Sequence, residues 1–130
     1  MQIDNVELKW LGHDSFLIKN STPQAYPDKS STKISTKGKL IYIDPYNISE
    51  ESEKADFILI THSHYDHCSV ADIKKIVKAG TTIVMTADSQ SKITRFDVPI
   101  KMVIVEPNQD LNFRGIKIST IPAYNVDKPF

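Results

Sequence analysis

Residues 57–70 read FILITHSHYDHCSV. The run that delivers this stretch, ADFILIT (55–61), is continuously apolar, as expected of a central strand covered on both faces. Three of the chain's four histidines follow within six positions, with Asp66 among them. A lone histidine in a chain of this size is more often a surface or hydrogen-bonded residue than a ligand. The spacing His-x-His-x-Asp-His overrides that expectation. His62 and His64 are two apart, so in extended backbone leaving a strand they project from the same side and converge on one ion. Asp66 and His67 follow at the turn into a helix, close enough to hold a second ion nearby. Imidazole with carboxylate suits zinc, one or two ions, and also manganese or iron. The absence of a second cysteine argues against a closed zinc-finger-type site, and the spacing differs from the helical His-Glu-x-x-His of zinc proteases.

Working outward, Ser69 caps a helix through VADIKKIVKA (70–79). Val70, Ile73, Ile76 and Val77 share one face, Asp72 completes a capping-box-like Ser-x-x-Asp, and Gly80 ends the helix. On the N-terminal side, LIYIDPY (40–46) is a strand that stops near Asp44, because Pro45 lacks the amide hydrogen a sheet would use. VELKWL (6–11) and SFLIKN (15–20) form an opening hairpin turned at Gly-His-Asp, with Gly12 supplying backbone freedom. Residues 21–39 are rich in Ser, Thr, Lys and Pro and poor in periodic apolar positions, which predicts a flexible loop. Beyond the helix come a strand at TIVMT (82–86), a short helix capped by Asp88, and strands at IKMVIVE (100–106) and GIKIST (115–120). The order predicts a single α/β layered domain over 1–130 with a mixed sheet.

The 130 residues are enough for one hydrophobic core. Sixteen basic residues balance sixteen acidic ones, which disfavours nucleic acid or an anionic membrane as partner. The N-terminus has neither the basic start nor the apolar core of a signal peptide, and no apolar run approaches the ~20 residues that span a bilayer. Cys68 is the chain's one cysteine and has no partner within it, so a reducing, cytoplasmic location is expected.

THSHYDH (61–67) resembles the signature of the metallo-β-lactamase superfamily. WLGHDSFLI (10–18) is similar to the opening of the metal-dependent hydrolase branch that includes ascorbate-6-phosphate lactonase-like proteins. LIYIDPY resembles the superfamily's strand ending in Asp, and ADFILITHSHYDH its ligand strand. The resemblance implies an αββα sandwich with one or two metal ions at the sheet edge. Carried over by position, His62 and His64 bind the first metal, and Asp66 and His67 the second. Asp44 orients a ligand histidine, the alternative being a turn-forming Asp before Pro. His13 lies near the pocket mouth or is an ordinary turn histidine, and Cys68 is a small packed residue beside the ligands. The implied chemistry is attack of a metal-bound hydroxide, held in line by Asp66, on an ester, lactone, amide or phosphodiester in a small-molecule substrate.

Enzymes of this superfamily are usually built from two similar αβ halves that share the ligands, and no histidine follows His67 here. The expectation is therefore the N-terminal half of the sandwich, incomplete at its C-terminus, with an apolar face left uncovered. The rival reading is a catalytically inactive truncated half-domain that binds metal or acts as an assembly module. Either form could be completed by homo-oligomerisation or by a complementing chain.

Overall fold

The computed structural model describes residues 1–3, 5–20, 39–93, 96–113 and 115–122. Nearly all of the loop expected at 21–39, and residues 123–130, lie outside the described residues. The elements are β1 (Gln2–Ile3), β2 (Val6–Gly12), β3 (Ser15–Asn20), β4 (Lys39–Ile43), β5 (Phe57–Leu59), α1 (Val70–Ile76), β6 (Thr82–Met85), α2 (Ala87–Gln90), β7 (Lys101–Ile104), β8 (Asp110–Phe113) and β9 (Ile116–Ser119). Strands β1 to β7 form one sheet in chain order, and β8 pairs with β9 in a separate hairpin.

The sheet is mixed, as expected. β1 to β4 pair antiparallel, whereas β4 to β7 run parallel. Parallel neighbours need a crossover, which α1 supplies between β5 and β6. The register aligns Leu17, Tyr42, Ile58 and Ile83 across four strands on one face. That face meets Ile73 and Ile76 of α1, both 0 % exposed, and forms the core. The opposite face carries Leu8, Ile18, Ile41 and Phe57 in one row and Trp10, Phe16, Ile43 and Leu59 in the next. The β8–β9 hairpin reaches it through Phe113, whose ring lies 5.9 Å from Phe57. Leu8, Phe16, Ile18, Ile43 and Leu59 stay only half-buried there and Trp10 is exposed, so this apolar face is covered in part.

Three local expectations are corrected. The helix stops at Ile76, well before Gly80, because its last carbonyl accepts the amide of Ala55 and Val77 turns extended. Tertiary pairing with the chain entering β5 outweighs the helical periodicity of 77–79. Gly80, at φ +91°, instead serves the turn from Lys78 to Thr81 that leads into β6. Asp88 is not the cap of α2: Thr86 takes that position, and Asp88 sits in the first turn. Finally, two short strands not anticipated from the residue pattern, β1 and β8, form at the margins of their sheets. No described helix is long and apolar enough to cross a membrane.

Candidate metal centre

The C-terminal ends of β4 and β5 lie side by side because those strands pair in parallel, Ile43 opposite Leu59. Asp44 and Thr61 therefore emerge at one sheet edge, the usual place for a ligand in an open α/β sheet. The Asp44 side chain is almost fully buried and its charge is fully engaged. Oδ1 accepts the Thr61 amide at 2.8 Å, while Oδ2 accepts the Thr61 hydroxyl at 2.6 Å and meets His67 Nδ1 at 2.8 Å. Its carbonyl accepts the Ser15 hydroxyl at 2.5 Å, which ties the β2–β3 hairpin to the same edge.

These bonds fix two histidine tautomers. A carboxylate at neutral pH only accepts, so His67 Nδ1 carries the proton it donates to Asp44, leaving Nε2 as the ring's lone-pair nitrogen. The Thr61 hydroxyl has spent its one hydrogen on Asp44, so it accepts from His62 Nδ1 at 2.9 Å, and His62 likewise keeps Nε2 for a ligand. Burial, reinforced by the neighbouring His67 and His64 rings, pushes the His62 pKa down and favours the neutral, ligating form.

His13 arrives from the hairpin turn. Gly12 at φ +97° and His13 at φ +50° both take left-handed backbone, and the register of β2 against β3 shifts between Trp10 and Gly12. The Trp10 indole N–H donates to the His13 carbonyl at 2.8 Å and holds this turn. His13 Nε2 then lies 2.8 Å from Asp66 Oδ2. That hydrogen bond holds the Asp66 carboxyl below the usual carboxylate range. Asp66 itself sits on a tight turn in which the amides of His67 and Cys68 both donate to the His64 carbonyl.

His13, Asp66 and His67 together offer three ligand atoms, all within 4.8 Å of one another. His67 Nε2 is 3.7 Å from Asp66 Oδ1 and 3.5 Å from Asp14 Oδ2. Both pairs expected from sequence, Asp66 with His67 and His62 with His64, are neighbours here. His62 and His64 do adjoin, with ring centroids 4.7 Å apart, and the His62 ring lies 3.9 Å from that of His67. His13, expected near the pocket mouth, lies against Asp66 within the compact group. Cys68 is 3 % exposed in the core cluster, and burial raises its thiol pKa.

Sequence reasoning did not single out Thr61 or Lys92. Thr61 bridges Asp44 to His62, and its position directly before His-x-His is the signal that could have found it. Lys92, just past α2, donates to the Ser63 carbonyl between the two motif histidines. Asp88 braces the same loop: hydrogen bonds from Thr86 and Ser63 hold its carboxyl low.

Residues 23–129 match the family model of the beta-lactamase superfamily domain. A UPF0173 protein of Pyrococcus abyssi is 29 % identical over 126 residues, covering 95 % of this chain and 50 % of its own length. A UPF0173 metal-dependent hydrolase of Geobacillus sp. is 39 % identical over 67 residues, 46 % of this chain and 29 % of its own. One from Archaeoglobus fulgidus is 29 % identical over 101 residues, 72 % of this chain and 36 % of its own. The fold resembles the solved structure of a Parabacteroides distasonis protein to which metal-dependent hydrolysis is ascribed, with a TM-score of 0.57 at 22 % identity, covering 94 % of this chain and 52 % of that one. The chain thus spans about half the length of the longest-matching relatives. Its mixed sheet, its histidine-bearing strand end and the family match over most of its length show that the chain belongs to the metallo-β-lactamase superfamily.

Proposed function

We propose that this chain carries one wall of the metal centre of a metal-dependent hydrolase acting on a small-molecule ester, lactone, amide or phosphodiester. The observation that carries the reading is the convergence of His13, Asp66 and His67 at one sheet edge with His67 oriented by a buried carboxylate. The donor set fits a divalent ion of the zinc, manganese or iron type, with zinc the leading choice: neutral imidazole nitrogens beside an ionised carboxylate. His13, Asp66 and His67 would hold one ion, and His62 with His64, whose rings adjoin His67, would hold another. Such an ion supplies Lewis acidity toward a carbonyl or phosphoryl oxygen and lowers the pKa of water. The chain's own contribution is orientation. Asp44 and Thr61 present two imidazoles in their ligating tautomers, His13 would ligate through Nε2 with its proton moved to Nδ1, and Asp66 would hold the attacking water in line.

The partly covered sheet face favours a second reading: a metal-binding half-domain completed by a second copy or a complementing chain. The buried thiol of Cys68 is in keeping with a reducing, cytoplasmic setting for either.

Zinc titration by calorimetry, with hydrolysis of a generic lactone and a generic phosphodiester, tests the first reading. Zinc binding should fall sharply in His13→Ala plus His67→Ala. An unchanged zinc content in that double variant would sink the site. Solution mass separates the second reading: an inactive chain that stays monomeric with zinc bound would remove the case for completion by a partner.

A further inference from the structure

An exposed aromatic residue occupies the middle of the ligand motif. Tyr65 stands at the apex of the tight turn closed by the amides of His67 and Cys68 on the His64 carbonyl, and it is 73 % exposed. A ring so placed adds little to the core, and single exposed aromatics are ordinary on protein surfaces. This one is not isolated. Its ring meets that of Tyr46 edge to face, with centroids 6.1 Å apart and planes at 74°. Tyr46, half-buried just beyond Asp44, lies 5.5 Å from the ring of His13. The His13 ring in turn is 5.7 Å from that of His67. Tyr65, Tyr46, His13 and His67 therefore make a continuous series of rings running from solvent to the compact ligand group.

From this geometry we infer that Tyr65 and Tyr46 form an aromatic-ring subsite, in which the flat ring of a substrate's acyl or leaving group rests while its carbonyl or phosphoryl group faces His13, Asp66 and His67. Two ring planes near perpendicular make an open corner. A third ring entering it meets one face and one edge, the offset and edge-to-face contacts that aromatic rings favour. The tight turn fixes the backbone of Tyr65, and contact with Tyr46 restricts its side chain, so little ordering entropy is lost on binding. The subsite deepens the hydrolase reading by giving its substrate an aromatic group, and it rests on that reading for what lies beside it.

The test compares phenylphosphonate with methylphosphonate, two probes that differ only in the ring, titrated into the full chain by NMR with and without zinc. Phenylphosphonate should bind about three- to tenfold more tightly. That preference should vanish in Tyr65→Ala and persist in Tyr65→Phe, which keeps the ring. Because Tyr65 is exposed, its replacement should leave zinc affinity and the thermal midpoint unchanged. Equal binding of the two probes, no measurable phenylphosphonate binding in either condition, or a preference that survives in Tyr65→Ala overturns the subsite. A chain that shows the ring preference but takes up no zinc overturns the metal reading alone.

Discussion

His67 Nδ1 and Asp44 Oδ2 lie 2.8 Å apart, joining residues separated by 23 positions, and the carboxylate that makes this contact is almost completely removed from solvent. A buried carboxylate without partners would be strongly destabilising. Here the Thr61 amide, the Thr61 hydroxyl and the His67 ring satisfy it. Asp44 also holds φ +44°, a conformation Asp tolerates better than most residues. Backbone of this kind, held in place by tertiary bonds, accumulates at functional sites.

Replacing Asp44 by Asn keeps its size but removes the negative charge and turns one acceptor into a donor facing His67 or the Thr61 hydroxyl. Zinc affinity should fall about ten- to hundredfold, as when other orienting partners of ligand histidines are lost. Calorimetric titration of Asp44→Asn checks it. Zinc binding equal to that of the unaltered chain would show that Asp44 only shapes the turn before Pro45.

Asp72 is the second buried carboxylate, and its role is to hold the scaffold together. It accepts from the amides of Asn47 and Ile48, from the Ser69 hydroxyl and from Lys75. Burial pushes its pKa up, yet the hydrogen bonds from Ser69, Lys75, Asn47 and Ile48 outweigh this and leave it below the usual 3.8. A folded pKa below the unfolded one means the native state binds fewer protons. The stabilisation is therefore complete above the unfolded value and is lost as pH falls from 3.8 through the lower folded pKa. Urea denaturation across that acid range should show a steeper fall in stability for the unaltered chain than for Asp72→Asn. At neutral pH, Asp72→Ala should cost about 2–4 kcal/mol, because it leaves the buried Ile48 amide and the partly buried Asn47 amide without their acceptor and removes the carboxylate facing Lys75.

Legibility in the sequence followed how local each cause is. The apolar run 57–60 and the alternation in 6–11 each report a strand by their own periodicity, and both strands formed. Ser69 and Asp72 announced a helix start that is built as expected, with the Ser69 hydroxyl accepting the Asp72 amide. The helix end was not legible, because it depends on Ala55 claiming the carbonyl of Ile76. The cluster of His13, Asp66 and His67 was legible only in part for the same reason. Asp66 and His67 stand together in the motif, whereas His13 joins them across 53 positions through a hairpin turn. No local spacing encodes that meeting. The second role of Asp72, bonding the amides of Asn47 and Ile48, is equally a product of tertiary packing.

Lys92 offers a test of how far the loop of the motif is held from outside. Its ammonium donates to the Ser63 carbonyl, between His62 and His64, while the rest of the residue is exposed. Lys92→Met keeps the aliphatic stem and removes the donor. Because the group is at the surface, the stability change should stay below about 1 kcal/mol. Zinc affinity should drop a few-fold, as His62 and His64 lose a fixed backbone between them. A thermal midpoint lowered without change in zinc affinity would make Lys92 a purely structural brace.

Two glycines separate backbone strain from site geometry. Gly12 at φ +97° and Gly80 at φ +91° both have room for an added Cβ, with no atom of another residue within 4 Å beyond their chain neighbours. Substitution by alanine therefore acts through the backbone conformation alone, and each should cost about 1–2 kcal/mol in thermal or urea unfolding. The two variants should part company at the metal. Gly12 adjoins His13, so relaxing the turn moves that imidazole relative to Asp66 and should weaken zinc binding. Gly80 lies in the turn leading into β6, away from the ligand group, and Gly80→Ala should bind zinc as the unaltered chain does. Equal zinc affinities in the two variants would mean that His13 is not part of the metal centre, whatever its distance from Asp66.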